Sequence, residues 1–315
     1  MKLGIVGTGM VGSTAAYAIA ATGVASSLVL IDHNPELASA QAADIADAIP
    51  FIGAVSVRAG GYADLKGAAI VVIAAGVAQK PGESRLELLG RNASIFAEVI
   101  AEVLAVTPDA ILLVATNPVD IMTAVTTKLS GIDPARVIGT GTILDTARFR
   151  KHLSNHLGVS PQSVHAHVLG EHGDSEVLIW SSAESGAMQL ESFARQRGCP
   201  LTAELRAEID TSVRQAAQLI IAGKGATWFG IAAGLARIVR VIALDQHEVL
   251  TVSSMTAEVA GVQNVCLSLP RIVGARGIED TLMPAMTPAE LDALGASARM
   301  LKETSDALEE AGLAD

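Results

Sequence analysis

Short apolar runs alternate with longer segments of helical period over the first 140 residues, and this alternation constrains the fold more than any other feature. Six runs rich in Val, Ile and Leu have the length of strands: Leu3–Val6, Leu28–Ile31, Val55–Arg58, Ile70–Ala74, Ile111–Ala115 and Val137–Ile138. Strands that are apolar on both faces and separated by helices are typical of a parallel sheet with helices on both sides. The sequence therefore predicts a doubly wound α/β domain over residues 1–142.

The pattern changes after Gly141, and residues 143–315 are predicted to form a second, mixed α+β domain that carries the catalytic and substrate-binding groups. The expected elements are a helix Ile143–Leu157, strands Val164–Leu169 and Val177–Trp180, helices Thr202–Ala222 and Ala226–Leu244, and strands Val249–Ser253 and Val265–Leu269. A last helix follows the capping-box segment TPAE at residues 287–290, with Leu291, Leu294, Ala298 and Leu301 on one face. No linker separates the halves, so we expect them to pack tightly.

Charge and composition exclude several classes of protein. The chain has 22 Lys and Arg against 33 Asp and Glu, a net charge of −11, which argues against nucleic acid or an anionic membrane as partner. The uncharged run Leu3–Ile31 contains too many Gly, Ser and Thr residues for a membrane span or a signal peptide. Two cysteines cannot form a disulfide framework, so we expect a cytoplasmic protein in a reducing compartment.

The segment GTGMVG at residues 7–12 matches the G-x-G-x-x-G pattern between a predicted strand and a predicted helix. In this Rossmann-type arrangement Gly7 allows the tight turn, Gly9 lets a pyrophosphate approach, and Gly12 lets helix and strand touch. Asp32 ends the second strand, 20 residues after Gly12, where a carboxylate binds the ribose hydroxyls and repels a 2′-phosphate. The pattern favours NAD as cofactor; the alternative is that the glycines serve packing and Asp32 caps a helix.

Residues suited to reducing a 2-oxo acid occur further along the chain. The reaction needs a proton donor, a cation for the carboxylate and a dipole that polarises the carbonyl. His172 lies between glycines, Asp145 and Arg148 share one helix face, and Arg85 follows a loop with the features of a lid. Asn117 ends a strand where its amide would face a ligand crevice. Each of these residues alone is more often a surface or salt-bridge residue than a catalytic one.

Four further histidines, His152, His156, His165 and His167, have spacings that could suggest a metal cluster. No carboxylate or cysteine completes a recognisable ligand set with them. The sequence therefore predicts no metal.

The combined pattern resembles the bacterial L-lactate dehydrogenases of the lactate/malate dehydrogenase family over essentially the whole chain. The strings that carry the resemblance are the glycine turn, QKPGESR at 79–85, TNPVD at 116–120, ILDTARFR at 143–150, GEHGD at 170–174 and KGAT at 224–227. The resemblance implies that His172 donates and accepts the proton, Asp145 is its partner, Arg148 clamps the carboxylate and Arg85 polarises the carbonyl. By the same carry-over the substrate contacts are Gln79, Arg85, Asn117, Arg148 and Thr227, and the cofactor contacts are Gly7, Gly9, Val11, Gly12, Asp32, Tyr62, Gly76, Val77, Ala115, Thr116, Asn117 and Thr140.

The resemblance also bears on specificity and assembly. Malate enzymes of the family carry Arg at the place of Gln79, so a neutral Gln favours pyruvate and lactate over a dicarboxylate. Bacterial members use an Arg and a His, here Arg150 and His165, to bind fructose 1,6-bisphosphate at a subunit interface, which implies an allosteric homotetramer. The family commonly has Tyr near the position of Gln218 and Tyr after the KGAT string, where this chain has Trp228-Phe229. The resemblance therefore does not fix the shape of the pocket for the substrate side chain.

Two alternatives remain open from the sequence. One is another L-2-hydroxyacid dehydrogenase, specific for malate or for branched-chain substrates. The other is a module that binds NAD without catalysis, in which the His, Asp and Arg residues are structural.

Overall fold

The computed structural model describes residues 1–77 and 82–312, and only the backbone of Arg85. The described strands are β1 (Lys2–Val6), β2 (Ser27–Ile31), β3 (Ser56–Ala59), β4 (Ile70–Ile73), β5 (Ile111–Val114), β6 (Val137–Gly139), β7 (Val164–Leu169), β8 (Val177–Ser185), β9 (Met188–Gln189), β10 (Glu248–Val259), β11 (Val262–Gly274) and β12 (Gly277–Thr281). The described helices are α1 (Met10–Thr22), α2 (Pro35–Ile52), α3 (Arg85–Val106), α4 (Val119–Ser130), α5 (Ile143–Leu157), α6 (Leu190–Gln196), α7 (Ala203–Lys224), α8 (Phe229–Ala243) and α9 (Pro288–Glu310). None of these helices is long and apolar enough to cross a membrane.

The main sheet confirms the predicted doubly wound fold. Strands β3-β2-β1-β4-β5-β6 lie side by side and run parallel, which is the order expected for a dinucleotide-binding domain. Val, Ile and Leu predominate in these strands except at the edge strand β3, because helices cover both faces, and two separate apolar clusters fill the space on either side. The carboxyl ends of β1, β4, β5 and β6 lie at one edge of this sheet.

The second half extends the same sheet. Strand β10 pairs antiparallel with β6 through Ser253 and Gly139, and β11 and β12 continue the sheet to nine strands. Strands β7, β8 and β9 form a separate sheet that packs with α5 around a third apolar cluster. The boundary at residue 142 stays a prediction, because the sheet crosses it.

The last helix differs from its prediction in one residue. The capping box forms, with Thr287 and Glu290 each bonding the other's backbone N–H. Leu294, Ala298 and Leu301 are buried, but Leu291 is 42% exposed and lies outside the buried face. Leu291 sits in the first turn, where the helix begins beyond the edge of the core.

Candidate active site

The glycine turn connects β1 to α1 as the sequence predicts. Gly7 has a φ of +94° and packs so tightly that a Cβ would lie 2.4 Å from the backbone N of Ala75. A Cβ on Gly12 would lie 1.8 Å from the carbonyl oxygen of Gly7, so close packing requires both glycines. A Cβ on Gly9 would meet no atom of the described chain, so packing does not explain that glycine. The exposed backbone at Gly9, at the N-terminus of α1, fits a pyrophosphate.

Asp32 lies at the end of β2 with its side chain 6% exposed. Its Oδ2 accepts hydrogen bonds from the backbone N and the Oγ1 of Thr8, at 2.7 and 3.1 Å, and its Oδ1 accepts one from Asn34 N at 3.0 Å. Burial opposes ionisation, but the hydrogen bonds from Asn34 and Thr8 hold the pKa of Asp32 below its usual range. A fixed negative charge therefore stands beside the glycine turn, where the adenosine ribose of a dinucleotide binds.

Cofactor choice follows from this charge. We expect the Michaelis constant for NADPH to be at least about tenfold higher than for NADH, because the 2′-phosphate meets the Asp32 carboxylate and loses the diol hydrogen bonds. Asp32→Ser should narrow that ratio, whereas Asp47→Ser, at an exposed carboxylate of α2, should not. Steady-state kinetics with both cofactors measures the ratio, and equal Michaelis constants in the wild type would contradict the assignment.

The structure brings His172, Asp145 and Arg148 into direct contact. Nδ1 of His172 lies 2.5 Å from Oδ2 of Asp145, and Nη1 of Arg148 donates to Oδ1 of Asp145 at 2.7 Å. Asp145 and Arg148 lie on one face of α5, near its first turn, and His172 follows β7 in the loop 170–175. The Asp145 side chain is 3% exposed, and those of Arg148 and His172 are 14% and 24% exposed. The two cationic side chains are thus partly exposed, and the carboxylate that joins them is buried.

The charges of this triad stabilise one another. Burial lowers the pKa of His172, but the hydrogen bond and charge of Asp145, with the charges of Asp120 and Glu176, raise it to about 9. Burial likewise opposes ionisation of Asp145, and the hydrogen bond and charge of His172, together with Arg148, hold the pKa of Asp145 below its usual range. At neutral pH the pair is therefore an imidazolium and a carboxylate. Because Nδ1 faces Asp145, Nε2 is the nitrogen that can exchange a proton with a ligand.

Asp120 fixes the loop that carries His172, a role that the sequence did not predict. Its Oδ2 accepts a hydrogen bond from the backbone N of His172 at 2.8 Å, and its Oδ1 accepts one from the Oγ of Ser253 at 2.6 Å. Burial raises the pKa of Asp120 to about 6, although these hydrogen bonds favour the charged form. Gly170 also exchanges two backbone hydrogen bonds with Ser268 of β11. The loop is therefore anchored from α4 and from β11 before any ligand binds.

The other predicted cofactor residues surround the carboxyl edge of the sheet. Ala115, Thr116 and Asn117 follow β5, and the Oγ1 of Thr116 donates to Ala75 O at 2.6 Å. Gly76 and Val77 follow β4, and the remaining members of the set are Val11 in α1, half-buried Tyr62 after β3, and buried Thr140 after β6. Asn117 is exposed at this edge.

For three predicted substrate-binding residues, Gln79, Arg85 and Thr227, the structure gives no contact with His172, Asp145 or Arg148 among the described residues. Gln79 lies outside the described residues, as does the side chain of Arg85. Thr227 is half-buried in the connection between α7 and α8, and no hydrogen bond between described residues joins it to His172. The neighbouring Lys224 lies over the ring of Trp228, with its Nζ 3.1 Å from the ring centroid. This contact holds the connection that carries Thr227.

Arg150 leaves α5 on the side away from Arg148 and reaches β7, the strand that carries His165. The Nε of Arg150 donates to the carbonyl oxygen of Ala166 in β7 at 2.9 Å, so its side chain leaves the face that carries Arg148. His165 is exposed on the same strand. Burial, together with the positive charges of Arg150 and His165, lowers the pKa of the nearby His167 to about 4, so the three side chains are close enough to interact electrostatically.

The fold and the site together define an NAD-dependent oxidoreductase with a histidine acid/base and an arginine anion site. Two family profiles match: the NAD binding domain of lactate/malate dehydrogenases over residues 1–139, and their alpha/beta C-terminal domain over residues 142–311. The chain belongs to the lactate/malate dehydrogenase family.

Relatives with high identity cover nearly the whole chain. The L-lactate dehydrogenase of Allorhizobium ampelinum is 61% identical over 96% of this chain and 98% of its own length, and that of Thermus aquaticus is 58% identical over 98% and 99%. The crystal structure of the minor L-lactate dehydrogenase of Enterococcus mundtii, in a ligands-bound form, has a TM-score of 0.93 and 40% identity, covering 97% of this chain and 98% of the other.

Proposed function

We propose that this protein is an NAD-dependent L-lactate dehydrogenase, which interconverts pyruvate and L-lactate. The observation that carries the proposal is the contact of His172 with Asp145 at 2.5 Å, with Arg148 bound to the other oxygen of the same carboxylate. A proton donor and a carboxylate-binding cation are thus held side by side in a protein whose relatives at 61% and 58% identity are L-lactate dehydrogenases. A non-catalytic NAD-binding module would not need a partly exposed imidazolium beside a guanidinium whose remaining N–H groups are available to an anion.

The chemistry of the chain's own residues follows from this geometry. The guanidinium of Arg148 makes no other hydrogen bond to a described residue, so its remaining N–H groups can bind the substrate carboxylate. Nε2 of His172 donates its proton to the ketone oxygen, and Asp145 stabilises the imidazolium before that transfer. NADH, when bound at the glycine turn, supplies the hydride. In lactate oxidation neutral His172 accepts the hydroxyl proton.

A panel of 2-oxo acids tests the proposal. NADH consumption should be fastest with pyruvate among pyruvate, oxaloacetate and branched-chain 2-oxo acids. A preference for a branched-chain acid would favour the alternative 2-hydroxyacid dehydrogenase, which Trp228 and Phe229 leave open. No turnover with any of these acids would favour the non-catalytic module.

We expect Gln79 to determine whether the enzyme prefers a substrate with one carboxylate, such as pyruvate, or one with two, such as oxaloacetate. A second substrate carboxylate would stay unpaired beside a neutral amide, and desolvating it costs several kcal/mol, so pyruvate should exceed oxaloacetate in kcat/KM by about two orders of magnitude or more. Gln79→Arg should shift the preference towards oxaloacetate, whereas Gln79→Asn should not. Equal efficiency on both acids in the wild type would defeat this prediction.

We further propose a homotetramer, present in the cytoplasm, whose subunits bury surfaces that are apolar in the single chain. Phe51, Phe229 and Leu244 are 89%, 68% and 52% exposed. A groove of about 440 Å³ between α5, α8 and β10 is lined mostly by small and apolar residues such as Leu144, Gly230 and Gly234, and also by the charged residues Arg150, Arg237 and Glu248. Exposed apolar surface rimmed by polar residues is typical of a protein–protein interface. The cytoplasmic location rests on the sequence, whose two cysteines, Cys199 and Cys266, are too few for a disulfide framework.

Fructose 1,6-bisphosphate is the proposed effector. Arg150 lines the groove and His165 is exposed on the neighbouring strand, so two symmetry-related copies of this pair would offer four cationic groups to one bisphosphate when the histidines carry a proton. We expect the effector to lower the half-saturating pyruvate concentration severalfold near or below neutral pH, where a histidine can be protonated. Arg150→Ala should abolish that response. Saturation curves with and without effector measure it, and identical curves for the wild type would exclude this regulation.

A further inference from the structure

Glu176 is a buried carboxyl group at the back of the triad. It lies between the His172 loop and β8 and is 3% exposed. Its Oε1 is buried and has no hydrogen-bond partner among the residues that the structure describes. One of its oxygens lies within 4.8 Å of both a carboxylate oxygen of Asp145 and a ring nitrogen of His172. Because Glu176 lies so close to Asp145 and His172, its protonation state changes the net charge of the site.

Charged groups face Glu176 from three elements. Asp145 and Arg148 approach from α5, His172 from its loop, and Arg214 from α7. Both arginines already serve other partners. Arg148 donates to Asp145, and the Nε of Arg214 lies 3.0 Å from each oxygen of its own helix neighbour, Asp210. Glu176 therefore has no dedicated cation to stabilise an ionised form.

We propose that Glu176 is a proton-holding, positioning residue: the substrate carboxylate binds at Arg148 only while Glu176 carries its proton, so that binding is linked to two protonations, at His172 and at Glu176. The inference rests on the proposed function, since it takes the anion to be a 2-oxo acid. An ionised Glu176 would add a buried negative charge beside the guanidinium that must receive a second anion. Proton uptake from water restores the neutral carboxyl, and no other bond changes.

The electrostatics of the site agree with this role. Burial, followed by the negative charge of Asp145, raises the pKa of Glu176 to about 8, and the charges of Arg214, His172 and Arg148 offset only part of the rise. With the pKa of His172 raised to about 9, both groups hold protons at neutral pH and both lose them in the alkaline range. Because both groups lose their protons over overlapping ranges of pH, counting the protons taken up on binding is the appropriate measurement.

Calorimetry of oxamate binding to the enzyme–NADH complex tests the inference. Oxamate is the amide analogue of pyruvate, and titration in two buffers of different ionisation enthalpy gives the protons taken up per site. At about pH 9 the wild type should take up well over one proton, about 1.4 for the two pKa values above, while Glu176→Gln should take up one at most. Glu171→Gln is the matched control, because this buried carboxylate of the same loop is already bonded to Ser175; it should behave like the wild type.

Each possible result of the calorimetry either supports or overturns the role proposed for Glu176. Uptake of one proton or less by the wild type would overturn the inference while leaving the proposed function intact, whether or not Glu176→Gln folds. An unchanged count in a folded Glu176→Gln protein would also overturn it. Failure of the wild-type complex to bind oxamate even at about pH 6.5, where both groups are protonated, would instead reject the proposed function and this inference with it.

Discussion

His172→Ala should lower kcat/KM for pyruvate by about 10²–10⁴-fold, since it removes the only proton donor that the described part of the site aims into the crevice. Asp145→Asn should lower it by about 10²-fold or more, because an amide cannot stabilise the imidazolium and leaves Arg148 without its anionic partner. NADH binding at the glycine turn should persist in both variants. Initial rates of NADH consumption and fluorescence titration with NADH measure the two properties separately.

A histidine outside the site provides the control. His247 is half-exposed between Asp245 and Glu279, in the connection that follows α8, so His247→Ala should keep wild-type rates. Near-full turnover in His172→Ala would mean that water or another group supplies the proton, and the role assigned to His172 would be wrong.

Arg148→Lys should raise KM for pyruvate by about 100-fold and change kcat less. A planar guanidinium can hold a carboxylate through two parallel hydrogen bonds while a third N–H stays on Asp145, whereas an ammonium group is a point charge that cannot do both. Each tenfold loss of affinity corresponds to about 1.4 kcal/mol, and one lost charge-assisted hydrogen bond costs about 1.5–3 kcal/mol. Steady-state kinetics over a wide pyruvate range separates KM from kcat.

The matched variant is Lys151→Gln, which removes an exposed cation of the same helix and should leave KM unchanged. A wild-type KM in Arg148→Lys would show that the carboxylate binds elsewhere. Loss of NADH binding in this variant would instead point to a disturbed fold.

The sequence predicted the parallel sheet well because strands covered on both faces admit little except Val, Ile and Leu. Strand β5 (Ile111–Val114) lies within the predicted run, and helix α5 (Ile143–Leu157) has the predicted limits. The glycine turn could also be predicted from the sequence. The positive φ of Gly7 and the close approach of Gly12 to the carbonyl oxygen of Gly7 each require a glycine.

Other features depend on contacts between distant residues. Strands β10 and β11 extend beyond their apolar centres, since the polar residues of their outer ends pair across the turn at 260–261. Helix α8 begins at Phe229 and not at Ala226, because α7 ends in the left-handed Gly225 and Trp228 leaves the helical region with a φ of −149°. The amino-acid composition near these residues does not indicate where β10 and β11 end or where α8 begins.

The roles of two carboxyl groups of the site, Asp120 and Glu176, could not be predicted from the sequence, because both depend on contacts between distant residues. Asp120 lies in a quoted string, but its hydrogen bond to His172 N joins positions 52 residues apart. Glu176, just before a strand, resembles an ordinary exposed glutamate until the fold buries it behind Asp145. Burial in three dimensions, which the local pattern does not encode, gives these residues their chemistry.

The most direct test of the proposed activity is a stoichiometric turnover with the purified protein, followed by chiral analysis of the product. With NADH limiting and pyruvate in excess, each NADH oxidised should yield one L-lactate, because the hydride and the His172 proton add to a ketone held in one orientation by Arg148. Absence of pyruvate-dependent NADH oxidation, or formation of D-lactate or a racemate, would contradict the account.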